Sequence, residues 1–135
     1  MNAAENKQLL QAIFSELSKG DSKLFVESMA DDFRWILTGN TQWSRTFEGK
    51  QSVVTELFGA LRSRIRDNIT IMAHRFIAED DFVVVEARGS NTTKAGVPYN
   101  NTYCFVFRLS EGKLQEVTEY LDTELVTAAF GDPNG

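Results

Sequence analysis

Tyr103-Cys104-Phe105-Val106-Phe107-Arg108-Leu109-Ser110-Glu111-Gly112-Lys113-Leu114-Gln115-Glu116-Val117-Thr118-Glu119-Tyr120-Leu121-Asp122 decides the fold. Two runs rich in aromatic and β-branched residues, Tyr103 to Leu109 and Leu114 to Leu121, flank a glycine turn, which is a hairpin signature. With Glu111 and Gly112 as a two-residue loop, Ser110 faces Lys113. Carried back along the ladder, that register sets Asn101 against Asp122, Tyr103 against Tyr120 and Phe105 against Thr118. Opposed residues share a face of the sheet. One face then holds an amide, phenols and an acid among apolar rings, a composition suited to a small-molecule pocket. The other face holds Thr102, Cys104, Val106, Val117, Glu119 and Leu121. A bulged turn would break this register.

Working outward, residues 4 to 19 carry Leu9, Leu10, Ile13, Phe14 and Leu17 at helical spacing, and Gly20 stops that helix. Asp21 can cap a second helix to about Ala30, burying Leu24, Phe25 and Met29. Phe33 to Leu37 reads as a short strand. Residues 38 to 49 are polar, punctuated by glycine around Trp43 and Phe47, and read as a loop or lid. A third helix is expected from about Gln51 to Arg66. Strands follow at Ile69 to Ala78, Phe82 to Thr92, Tyr99 to Leu109 and Leu114 to Leu121. Asp122 can cap a final helix to Phe130, with a frayed tail from Gly131 to Gly135. Helices followed by an antiparallel meander predict an α+β domain, with the helices covering one face of the sheet.

The chain has 135 residues, 42% hydrophobic and 24% charged, as expected of one globular domain with a real core. No apolar run approaches the ~20 residues of a membrane-spanning helix. The first residues lack the basic start and apolar stretch of a signal peptide, so a cytoplasmic setting is expected. The single cysteine, Cys104, offers no internal disulfide, and no Cys and His set matches a zinc site. A net charge of -5 argues against a nucleic-acid partner.

The order of elements, together with Tyr99-Asn100-Asn101-Thr102-Tyr103, Phe105-Val106-Phe107-Arg108, Glu111-Gly112-Lys113 and Glu119-Tyr120-Leu121-Asp122-Thr123, resembles the SnoaL-like polyketide cyclase family within the nuclear-transport-factor-2-like (ketosteroid-isomerase-like) superfamily. The likeness spans essentially the whole chain. It implies a curved antiparallel sheet wrapped round three N-terminal helices to form a conical cavity, in a commonly dimeric fold, and acid–base chemistry on small hydrophobic ring or carbonyl compounds without metal or organic cofactor. In the family the aspartate closing the last strand is the acid–base residue, and Asp122 matches it. The arginine–aspartate pair of the similar epoxide hydrolases is not matched by Glu86-Ala87-Arg88. The places used by steroid isomerases hold Leu37, Ile13 and Phe105, which cannot do that chemistry.

The candidate catalytic residues are therefore Asp122, with Tyr120 and Asn101 to orient it. An apolar cavity disfavours a charged carboxylate and suits it to proton transfer. Asp122 could equally serve only as a helix cap. Tyr103, Phe105 and Thr118 are expected to contact substrate. Arg88 and Glu86 join the same face if residues 94 to 97 form a four-residue loop, and leave it with a three-residue loop. In the second case they are a surface ion pair. Trp35 alternates as a core or cavity residue, and Trp43 could cover a ligand or pack on a partner. His74, the single histidine, falls on the outer side of its strand, with Ala73 and Arg75 inside. Cys104 reads as a small apolar residue. The apolar outer face predicts a homodimer. The expected partner is a small hydrophobic molecule, either turned over without a cofactor or bound unaltered by a sensory module.

Overall fold

The computed structural model describes residues 1–134; Gly135, the end of the expected frayed tail, lies outside them. Helix α1 (Ala3–Leu17) starts on a capping box. Asn2 accepts from the Glu5 amide, and the Glu5 carboxylate accepts from the Asn2 amide. Its buried stripe is Leu10, Ile13, Phe14 and Leu17. Helix α2 (Lys23–Ser28) is shorter than expected, because Met29 already belongs to the first strand.

That strand, β1 (Met29–Leu37), extends four residues upstream of its expected start at Phe33. Within the expected lid, β2 (Thr46–Glu48) pairs antiparallel with β1, setting Phe47 against Trp35. A continuous helix, α3, covers residues 50–64, but its second turn, Val53–Leu57, is π-helical. Such a turn is rare and frequently stands at functional sites. Its last residue, Leu57, lines the cavity described below.

The meander comprises β3 (Ile71–Glu79), β4 (Phe82–Gly89), the short pair β5 (Asn91–Thr92) and β6 (Pro98–Tyr99), then β7 (Thr102–Ser110) and β8 (Lys113–Leu121). Helix α4 (Thr123–Phe130) follows, capped by the Asp122 carboxylate, which accepts from the Leu125 amide. Six strands form one open sheet in the order β2-β1-β8-β7-β4-β3. Neighbours are antiparallel except β1 and β8, which run parallel. The fold is α+β, with helices α1, α2 and α3 on the inner face. Among the described residues, no helix is long and apolar enough to cross a membrane.

Phe107 is the centre of the core, fully buried and in ring contact with Phe14, Phe25 and Phe105. Each such side chain contributes about 1.5–3 kcal/mol by leaving water. Phe14, Phe25 and Phe105 also border an internal space, so the core is packed on one side of these rings and open on the other.

Candidate functional site

The strand register decides what faces that space. Glu111 and Gly112 both have positive φ, 50° and 77°, as a type I′ turn requires, and Ser110 opposes Lys113 as expected. The ladder then shifts. Leu109 opposes Leu114, but Arg108 opposes Glu116, leaving Gln115 as the extra residue of a β-bulge. Beyond it Phe107 faces Val117, Phe105 faces Glu119 and Tyr103 faces Leu121. Glu119 therefore points inward. Thr118 and Tyr120, expected in the pocket, lie on the outer face, with Tyr120 51% exposed. Asp122 stands exposed beyond the strand end as the α4 cap.

Arg88 and Glu86 are likewise on the outer face, opposite Thr102 and Cys104. The loop between β5 and β6 spans five residues, 93 to 97, rather than four, and this odd length moves both side chains outward. Glu86 meets Arg75 at 2.7 Å in a half-exposed pair, worth under ~1 kcal/mol. A second bulge at His74 turns Arg75 outward with it, while Ala73 stays inside.

The space is a cavity of about 180 Å³, partly open to solvent, with exposed Ser22, Arg62, Asp67 and Asn68 at its rim. Trp35, Trp43, Tyr103 and Phe105, all candidates named from the sequence, line it. Glu119, Tyr99 and Asn91 also line it and were not anticipated as site residues. Glu119 is only 7% exposed. The Trp35 indole Nε1–H donates to its Oε1 at 2.9 Å. Among the described residues no hydrogen bond reaches its other oxygen. The Glu119 carbonyl accepts from the Thr38 hydroxyl at 2.8 Å, which fixes the strand end beside β1. Burial pushes the carboxyl from 4.5 up to about 7, against the opposing effect of the indole. A group titrating there can both accept and return a proton at neutral pH.

Two phenols adjoin it. Burial pushes Tyr99 up to about 12 and Tyr103 well above its ordinary value, so both keep their protons as donors. Tyr103 stacks on Phe105, centroids 5.1 Å apart. Its ring lies against Gly89, where an added Cβ would meet the ring at 3.3 Å. Asn101 is fully buried, but its amide is committed to structure. It donates to the Tyr99 hydroxyl and the Asp122 carbonyl, and accepts from the amides of Thr102 and Asp122. Asn91 is spent in the same way on both backbone groups of Thr70.

The far end of the cavity is closed by Trp43 and Phe130, centroids 5.7 Å apart. The Trp43 indole donates to the Gly131 carbonyl at 2.6 Å, and the Arg64 guanidinium lies 4.7 Å over its ring. Arg64 also donates to the Pro133 carbonyl, so residues 131 to 133 are tied down rather than frayed. Among the described residues no group of three His, Cys, Asp or Glu side chains is placed to hold a metal ion.

The profile of the SnoaL-like domain family matches residues 10–117, and the chain belongs to that family. The match ends just before Glu119. No curated protein matches the chain. Among solved structures it is similar to an NTF2-like protein of unknown function from Burkholderia pseudomallei K96243, with TM-score 0.80, 17% identity, and 93% and 97% of the two chains covered. It is also similar to a protein from Jannaschia sp. CCS1 provisionally named a SnoaL-like polyketide cyclase, with TM-score 0.78, 19% identity, and 95% and 92% covered. A third is TerC co-crystallised with polyporic acid, with TM-score 0.76, 17% identity, and 93% and 97% covered. At such identities the likeness establishes the fold.

Proposed function

We propose that the cavity carries out cofactor-free acid–base chemistry on a small hydrophobic carbonyl or ring compound, with Glu119 as the proton carrier. The observation that supports this most is a carboxyl titrating at about 7 inside an aromatic cavity, with one oxygen held by Trp35. The ionised carboxylate would take a proton from carbon next to a carbonyl. Negative charge would then collect on the carbonyl oxygen, where the protonated phenol of Tyr103 or Tyr99 can donate a hydrogen bond. The neutral acid would return the proton at another carbon, giving an isomerised product, or act after an intramolecular attack that closes a ring. TerC, a protein of the same fold, was co-crystallised with polyporic acid, which fits a small organic compound as the ligand of this one.

The test starts with native mass spectrometry of the purified protein and extraction of any retained compound, followed by turnover assays on that compound and its analogues. Glu119→Gln keeps shape and the Trp35 hydrogen bond while removing proton transfer, so turnover is expected to fall by about 10²–10⁴-fold. Equal turnover in Glu119→Gln would refute Glu119 as the carrier. A retained ligand recovered unaltered, with no turnover of it or its analogues, would support a binding module instead.

A further inference from the structure

We infer that the cavity takes a neutral compound of single-ring size bearing one hydrogen-bonding oxygen, and that it turns away organic anions and fused multi-ring compounds. This rests on the reading of Glu119 as the working group of the site.

Size comes first. An apolar cavity of about 150 Å³ holds benzene, and this one is about 180 Å³. Its walls are rings already in contact with one another. Phe14 lies 5.7 Å from Phe105, and Trp35 lies 5.7 Å from Phe58, centroid to centroid. Trp43 and Phe130 close the end in the same way. A second fused ring turned toward these walls would have to push one of these aromatic side chains out of a close-packed contact, which is unfavourable.

Polarity comes second. Of the polar side chains lining the space, Asn91 has its amide committed to the backbone of Thr70, and Ser22, Arg62, Asp67 and Asn68 stand exposed at the rim. The free oxygen of Glu119 and the phenols of Tyr99 and Tyr103, whose hydroxyls bond to each other, remain to meet a ligand. Away from that rim the wall is apolar, so a ligand with one oxygen near Glu119 and a hydrocarbon body fits.

Charge comes third. The ionisable groups facing the space are Glu119 from β8, Tyr99 from β6 and Tyr103 from β7. Helix α3 contributes Arg62 and the following turn Asp67; both are exposed at the rim and opposite in sign. Helix α1, strand β1, the loop at Trp43 and helix α4 present only uncharged side chains to the space. Among the described residues no buried cation lines the space, so a bound carboxylate would meet Glu119 with neither charge offset.

Isothermal titration with acetophenone, benzoate and anthrone tests this at pH 8 and pH 5.5. Acetophenone is expected to bind one to one. Benzoate should bind at least about tenfold more weakly at pH 8, a gap that follows from loss of a modest like-charge interaction. At pH 5.5 benzoate is still ionised but Glu119 is mostly neutral, so the gap should narrow. In Glu119→Gln the gap at pH 8 should close. Anthrone should not bind. Benzoate binding as tightly as acetophenone at pH 8, anthrone binding comparably, or no binding of acetophenone at its solubility limit would each overturn the inference. The pH series on the unaltered protein stands even if the variant fails to fold. Selective binding with no turnover would sink the enzymatic reading alone, and turnover of a multi-ring substrate would sink this inference alone.

Discussion

The indole Nε1 of Trp35 and the carboxylate Oε1 of Glu119 are 2.9 Å apart, although 84 residues separate them in the chain. The contact exists because β1 and β8 run side by side in parallel, with Leu37 paired to Glu119 and Trp35 one step back on the same face. It leaves one carboxylate oxygen oriented and the other free toward the cavity. The indole favours the ionised form, while burial opposes it more strongly.

Trp35→Phe removes the donor and keeps a ring. The Glu119 carboxyl should then titrate above its present value of about 7, and the pH profile of turnover should move to more alkaline pH. Carbon-13 NMR of the glutamate carboxyls gives the same readout without a substrate. A titration that stays in place or moves to lower pH would contradict the assigned hydrogen bond.

Glu119 also makes stability depend on pH. Below pH 4.5 the carboxyl is neutral in both folded and unfolded chains and imposes no penalty. Between 4.5 and about 7 the unfolded chain releases the proton while the folded one holds it, so stability falls as pH rises. The full cost, on the order of 3 kcal/mol, is in place above pH 7. Glu119→Gln should thus unfold at higher denaturant than the unaltered protein at pH 8 and match it near pH 4. A variant less stable at pH 8 would count against the buried charge.

Asn101 and Asp122 separate cleanly by stability. Asn101→Ala leaves the part-buried amides of Thr102 and Asp122 without their acceptor and should cost about 3 kcal/mol. Asp122→Ala removes one cap bond to Leu125 and should cost about 1 kcal/mol. Turnover in the Asp122 variant should stay within about twofold, since the carboxylate is an exposed cap outside the cavity; that range corresponds to under half a kcal/mol. A large loss would return the aspartate to the chemistry.

The homodimer expected from the sequence is proposed to form on the outer sheet face. Met72, Ile77, Phe82 and Tyr120 are all large and well exposed there, from 44% to 67%. Sedimentation should give twice the chain mass at micromolar concentration, and Ile77→Lys with Phe82→Glu should yield monomer. A monomeric parent protein would dismiss the proposal.

Most of the architecture was legible because it is written in local signals. The stripe from Leu10 to Leu17, the Glu111-Gly112 turn and the alternation of Phe105, Phe107 and Leu109 each state their structure without help from afar. The site was harder, since it depends on parity along two strands. A single extra residue at Gln115, a second at His74 and a five-residue loop in place of four exchanged inside for outside. Pairs counted from the turn left Val117 and Leu121 outside and Tyr120 inside. The side chains themselves argue otherwise, because burying Val117 and Leu121 beside Phe107 and Tyr103 removes more apolar surface from water. Weighing that burial against the turn count would have brought Glu119 into view. The π-helical turn at Val53–Leu57 left no sequence mark that distinguishes it from regular helix.

Gln115 has one more consequence. It divides β8 into two segments that answer to different constraints, Lys113 and Leu114 to the hairpin tip and Val117 through Leu121 to the cavity wall. As the surplus residue of the ladder, it is the position from which the chain could lose a residue and keep both. Arg108 would still meet Glu116, and the acid would still look inward. Removing one residue between Glu116 and Glu119 would instead swing the carboxyl into solvent. The tip can thus change length, through this one slot, without disturbing the chemistry at the strand's other end.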